Sequence, residues 1–169
     1  MFGPVRPGGR PRLRGDTSAG GSASLGSSVG WSAEGNAPEP EVQVLGTDLR
    51  LRFVVDYIFE GPNVRKEFRA LRFFACHKYR LGSTNDEGWY RRQCRFSRLA
   101  PKWGEFYEID GDQALQDEPK DWVSVGERAT DARHFLFHFR DNTFECIARS
   151  WDFVPGEDNV LRTRAGTTG

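Results

Sequence analysis

The stretch HFLFHFRDNTFECIARSW, residues 134–151, decides the fold because aromatic and polar residues alternate along it. Every second residue from Phe135 to Phe139 is a phenylalanine, which is the period of a half-buried β-strand and not of a helix. Asp141 and Asn142 tolerate positive φ and are typical of tight turns. The stretch therefore predicts a β-hairpin with one apolar face.

The two faces of this hairpin are expected to differ. A turn centred on residues 141–142 places Phe137 opposite Cys146 and His138 opposite Glu145. We expect the phenylalanine face to be buried, with Cys146 as an inert thiol on it. The face that carries His138 and Glu145 is predicted to lie in solvent.

His138, Glu145 and His134 are the candidate catalytic residues on that second face. A carboxylate beside a histidine raises the histidine pKa toward physiological pH, which suits general acid/base chemistry. Ordinary sheets also pair charged side chains across strands, so a structural interpretation of the same pair stays open.

The rest of the chain predicts more strands around this hairpin. DLRLRFVVDYIFEG at 48–61 alternates with period two, and EFRALRFFACHKYRLG at 67–82 follows a turn, so we expect two long antiparallel strands. WGEFYEID at 103–110 predicts a shorter strand. STNDEGWYRRQCRFSRL at 83–99 has capping-box spacing weakened by a glycine, which predicts a loop with at most a short helix.

These patterns predict an α+β fold, mainly antiparallel β, in a single small domain with a twisted sheet and few short helices. Residues 42–155 are expected to form it. Residues 1–41 are rich in Gly, Ser, Pro and Arg, and with the tail 156–169 they are predicted to be disordered. Whether the first forty residues are a genuine arm, a transit peptide or a mis-assigned start stays open.

The composition argues against several classes of protein. No stretch approaches the roughly 18 apolar residues of a membrane span, and no secretory signal is visible. Three cysteines without C-x-x-C spacing indicate neither a disulfide framework nor a zinc site, so we predict no metal and no cofactor. We expect a soluble, cytoplasmic protein with reduced thiols.

The charges are balanced over the chain, with 24 basic and 24 acidic residues, but they are segregated along it. Residues 65–102 hold eleven Lys and Arg against three Asp and Glu, a net charge of +8, and residues 103–131 hold two against nine, a net charge of −7. A basic segment interleaved with aromatic residues is typical of single-strand nucleic-acid binding. The acidic segment is expected to pack near it and to cancel its field.

A polar loop at 83–92 supplies further candidate binding residues at the end of a strand, where loops tend to carry function. The candidates for ligand binding are Asn85, Asp86, Glu87 and Trp89 in this loop, together with His134, His138 and Glu145 on the hairpin. Alternatively, the loop residues serve only to form a turn and to cap a helix.

The motifs GSTNDEGW, GEFYEID, DW and RHFLFHFRDNTFECIA, in this order, resemble an uncharacterised family of bacterial proteins with a G-x-x-N-D-E loop and a C-terminal H-F-x-F-x-F-x-D-x-T-F-E-C block. The similarity covers roughly residues 72–150. A Gly-His-Pro expected after the loop is replaced by YRRQCRFSRL, which has no histidine. The resemblance implies a bacterial domain and supplies no reaction.

Three functions remain open from the sequence. A non-enzymatic ligand-binding or protein-interaction module is favoured, because no motif specifies a nucleophile, a metal cluster or a phosphate loop. A small acid/base enzyme acting on a polar small molecule is the first alternative. Single-stranded nucleic-acid binding through residues 65–102 is the second.

Overall fold

The computed structural model describes residues 22–25, 32–84, 86–100, 104–110 and 116–154. Within these ranges the strands are β1 (Ser22–Leu25), β2 (Glu41–Leu45), β3 (Asp48–Glu60), β4 (Asn63–Phe74), β5 (Lys78–Ser83), β6 (Phe106–Asp110), β7 (Val123–Ser124), β8 (Arg133–His138), β9 (Asn142–Ala148) and β10 (Ser150–Phe153). The helix α1 (Asp86–Tyr90) lies between β5 and β6.

All strand pairs are antiparallel, and they form two sheets. The first has six strands in the order β1-β6-β8-β9-β5-β7, and the second has four in the order β10-β4-β3-β2. The mainly antiparallel β fold is therefore confirmed. The α+β class is not, because helix is nearly absent: beyond α1, only residues 116 and 117 are helical in the described part of the chain.

The hydrophobic core lies between the two sheets. Rings from the four-stranded sheet meet rings from the six-stranded sheet, with centroid distances of 5.1 Å for Phe53 and Phe137 and 5.2 Å for Phe73 and Phe144. The hairpin residues predicted to share the buried face all belong to this core: Phe135, Phe137, Phe139, Phe144, Cys146 and Ala148. Alternation in the sequence thus identified the core face of the hairpin.

Two segments each leave one sheet and enter the other. The predicted long strand at 67–82 is two strands, β4 in the four-stranded sheet and β5 in the six-stranded sheet, joined by a bend at 75–77. Ala75 has a φ of 48° there, and its N–H donates to the Asp48 carboxylate at 3.0 Å. β9 and β10 make the same change around Arg149, as sheet corners do when one chain serves both layers.

The turn of the β8–β9 hairpin is centred on residues 140 and 141, one position earlier than predicted. Phe137 therefore faces Phe144, and His138 faces Thr143 instead of Glu145. A shift of one residue in the turn centre moves each partner by two residues. Side chains keep their faces because the strand period is also two.

Part of the segment predicted to be disordered is folded. Pro38 is buried, and the backbone of Val54 is hydrogen-bonded to Glu34 and Pro38. These bonds complete β3 beyond the end of β2, and β1 pairs with β6. Residues 1–21, 26–31 and 155–169 lie outside the described residues, and the predicted domain bounds stay a prediction. No described helix is long and apolar enough to cross a bilayer.

Candidate functional site

The outer face of the six-stranded sheet is covered, which corrects the prediction of a solvated face. Residues 86–100 pack over it and form a second hydrophobic cluster, in which Trp89 and Ala100 are packed together with Tyr107 and Leu136 of the sheet. His134, His138 and Glu145 consequently have at most 1% of their surface exposed.

Glu145 is the centre of a buried polar cluster on this face. Its carboxylate accepts a hydrogen bond from Arg80 Nη1 at 2.7 Å and one from His134 Nε2 at 2.8 Å. Arg95 Nε lies 3.3 Å from the same carboxylate. The register explains the first contact, because Arg80 of β5 is directly paired with Glu145 of β9.

The surroundings of Glu145 favour its ionised form. Burial by itself raises the pKa of this carboxyl, but the hydrogen bond from His134 and the charges of His134, Arg95 and Arg80 outweigh burial and hold the pKa below its usual range. Glu145 is therefore a fixed negative charge that holds two guanidinium groups in place.

Both arginines reach from this buried carboxylate to carboxylates near the surface. Arg80 donates from Nε and Nη2 to Asp121 at 2.8 and 2.9 Å, and Arg95 donates from Nη1 to Glu118 at 3.0 Å. Burial opposes the charge of Arg80, but Asp121 and Glu145 outweigh it and raise the Arg80 pKa. The Arg80 guanidinium therefore stays cationic.

An open cleft of about 450 Å³ lies against these charges. Its lining residues are Arg80, Ser83, Thr84, Cys94, Arg95, Glu118, Pro119, Asp121, Thr143 and Glu145. The cleft therefore combines two fixed cations with three hydroxyl groups, and the carboxylates of Asp121 and Glu118 already occupy part of the cationic wall.

His138 lies apart from the Glu145 cluster. Its Nδ1 is 3.2 Å from the Thr143 hydroxyl, and its ring lies against Trp89, with centroids 3.6 Å apart and the ring planes tilted by 52°. Burial lowers the His138 pKa to about 3, although the charge of Glu145 acts in the opposite direction. The predicted increase of the His138 pKa by a neighbouring carboxylate is therefore wrong, since desolvation is the larger effect.

The predicted loop residues separate into different environments. Asn85 and the side chain of Asp86 lie outside the described residues. Glu87 is exposed on α1 and lies 3.5 Å from Arg91. Trp89 meets the hairpin candidates through His138.

Glu118 and Asp121 were not singled out from the sequence, and Arg80 and Arg95 were predicted only as part of the basic segment 65–102. The separation of charge along the chain was a usable signal, because the acidic segment does pack on the basic one. The contacts are Arg80 with Asp121, Arg95 with Glu118, and Lys78 with Asp117.

Among the described residues, no three His, Cys, Asp or Glu side chains are arranged to hold a metal ion. No known protein family, curated protein or solved structure matches the chain. The resemblance noted from the sequence therefore stays a prediction, and the site is interpreted from its own geometry.

Proposed function

We propose that the cleft beside Arg80 and Arg95 binds a small organic anion, whose carboxylate or phosphate group accepts hydrogen bonds from both guanidinium groups. The protein is then a ligand-binding module, and its ligand replaces Asp121 and Glu118 on the cationic wall. The observation that carries this proposal is that the wholly buried carboxylate of Glu145 contacts both guanidinium groups.

The buried charges around Glu145 are not needed to stabilise the sheet, which favours a functional role for them. Removing a carboxylate and its partners from water usually costs as much as their attraction returns, so an apolar cluster would stabilise the sheet at least as well. Charged groups with perturbed pKa values beside a cleft are characteristic of binding and catalytic sites.

The present partners of the arginines are themselves open to solvent. The side chains of Asp121 and Glu118 are 54% and 68% exposed, so a ligand anion in the cleft can compete with both carboxylates for the guanidinium groups. Arginine presents its donors in a fixed fork that matches carboxylate and phosphate oxygens. A ligand anion would therefore meet donors that are already oriented.

The acid/base enzyme is less well supported by this geometry. His134 and His138 are buried, so a molecule in the cleft would reach the arginines and hydroxyls before either imidazole. The His138 pKa of about 3 also keeps that ring neutral at physiological pH.

Isothermal titration calorimetry at low ionic strength, with inorganic phosphate and with succinate as ligands, tests the proposal. We expect binding that weakens as salt is added and that Arg80→Gln abolishes. Asp121→Asn should instead tighten binding several-fold, because it removes the carboxylate that competes for Arg80.

Arg72→Gln is the matched control, since Arg72 forms a similar pair with Asp48, at 2.6 Å, on β4 of the other sheet. It should leave anion affinity unchanged. Equal affinity of wild type, Arg80→Gln and Asp121→Asn, with all three folded, would overturn the assignment of the cleft.

A further inference from the structure

We infer that Cys76 and Cys146 form an intramolecular disulfide when a peroxide oxidises the protein, which makes the corner between the sheets a site of covalent modification. The two Sγ atoms are 3.4 Å apart, although the residues are separated by 70 positions in the chain. This site is independent of the proposed anion cleft.

The backbone brings the two thiols together. Cys76 lies in the bend between β4 and β5, where its N–H donates to Thr47 O at 2.7 Å. Cys146 lies in β9 and is paired with Tyr79 of β5. A disulfide bond is about 2.0 Å long, so the sulfur atoms need to approach by only about 1.4 Å.

The reaction consumes two thiols and one hydroperoxide. One thiolate attacks the peroxide oxygen, giving a sulfenic acid and releasing hydroxide or alkoxide, which takes up the thiol proton. The second sulfur then attacks the sulfenic sulfur, the S–S bond forms, and water leaves. For hydrogen peroxide the products are one disulfide and two water molecules.

Access to the thiols sets the rate of this reaction. Burial raises the pKa of the Cys146 thiol well above its usual value, and the contact with Cys76 adds to this increase. The resting Cys146 thiol is therefore protonated and unreactive. Oxidation therefore proceeds only while the core is transiently open, and the disulfide forms slowly.

The third thiol provides an internal reference. Cys94 is half-buried, lines the cleft and has its Sγ 3.2 Å from Thr84 Oγ1, on the opposite side of the six-stranded sheet from the core cysteines. It is therefore not placed to join either of them.

The experiment treats the folded full chain with hydrogen peroxide, blocks remaining thiols with an alkylating reagent under denaturing conditions, and maps tryptic peptides by mass spectrometry. Trypsin places the cysteines on separate peptides, residues 73–78, 93–95 and 141–149. We expect peptides 73–78 and 141–149 to become linked with the loss of two hydrogen atoms. The Tm of the oxidised protein should rise by several degrees, because the crosslink closes a long loop.

Cys76→Ala is the control for the Tm, since its peroxide-treated form should melt at the same temperature as its untreated form. A second variant, Cys146→Ala, serves if the first fails to fold. The inference is overturned if both core thiols of the wild type remain alkylated, or if peroxide gives links through Cys94 or between molecules.

Discussion

At the scale of single residues, Glu145 combines complete burial with a retained charge. Its replacement by glutamine leaves His134 and two arginines around a neutral amide. We expect Glu145→Gln to lower the free energy of unfolding at pH 7 by about 3 to 5 kcal/mol, the usual cost of removing one partner of a buried ion pair. Urea denaturation of the variant and the wild type measures this loss.

Glu108→Gln is the control for that change, because Glu108 pairs with Arg133 at 2.9 Å in the same sheet but is partly exposed. It should cost less than about 1 kcal/mol. Equal losses in the two variants would mean that Glu145 does not organise the cluster.

His138 gives a prediction about pH. Its folded pKa of about 3 lies below its ordinary value of 6.5, so between these values the unfolded chain binds a proton that the folded chain does not. His138 should therefore add no pH dependence above about pH 6.5, and stability should fall by about 1.4 kcal/mol for each pH unit below it. Urea melts between pH 7 and pH 4 test this slope.

His138→Asn provides the comparison, because its amide can occupy the position of Nδ1 beside Thr143 without titrating. Its stability should be lower than that of the wild type at pH 7 and should decrease less steeply as the pH falls. Parallel curves for the two proteins would show that His138 is not the titrating group.

At the scale of elements, the bend between β4 and β5 depends on a residue in an unfavourable conformation. Ala75 has a φ of 48°, in the left-handed region that favours glycine. We expect Ala75→Gly to stabilise the protein by about 0.5 to 1 kcal/mol, because relief of strain exceeds the added entropy of the unfolded chain. Thermal and urea denaturation measure the effect.

Ala70→Gly, in the middle of β4, should change stability in the opposite direction. Ala70 is buried in a regular strand, so glycine there loses packing and adds chain entropy. A loss of stability in both variants would mean that the bend at Ala75 is not strained.

Alternation predicted the elements better than their connections. It identified β3, β6, β8 and β9 and the buried face of Phe135 and Phe137, because period two is a local property of the chain. It did not predict the bend at Ala75, since Asp48 and Thr47, which hold that bend, come from a distant segment. The turn was misplaced because the prediction assumed a positive φ at Asp141 and Asn142, and neither residue has one.

At the scale of the whole molecule, residues 32–40 extend the four-stranded sheet past β2. Their contacts include the backbone bonds to Val54 and the hydrogen bond from the Tyr57 hydroxyl to Ala37 O at 3.0 Å. Deletion of residues 1–40 should therefore lower the free energy of unfolding by about 2 to 3 kcal/mol relative to deletion of residues 1–31. Comparing the two truncations isolates these nine residues, and equal stabilities would show that they contribute nothing.

The candidate site was predictable only in part, because its residues come from segments that only the complete fold brings together. His134 and Glu145 were identified from one hairpin, but Arg80 and Arg95 meet them through strand order and through the covering segment 86–100. The hairpin face that carries His138 and Glu145 was wrongly predicted to lie in solvent for the same reason. Whether the polar face of a sheet is exposed to solvent depends on which segment packs over it. The alternation pattern within a strand carries no information about that segment.

The paired corners at Ala75 and Arg149 have a consequence for hydrogen exchange. The segments β4–β5 and β9–β10 each run unbroken from one sheet into the other, so neither sheet can come apart without pulling on the strands of its neighbour. Amide protons in β3 and in β8 should therefore exchange with the same opening free energy, close to that of global unfolding, although these strands lie in different sheets. Local opening is therefore confined to the periphery of the two sheets, and the core unfolds as one cooperative unit.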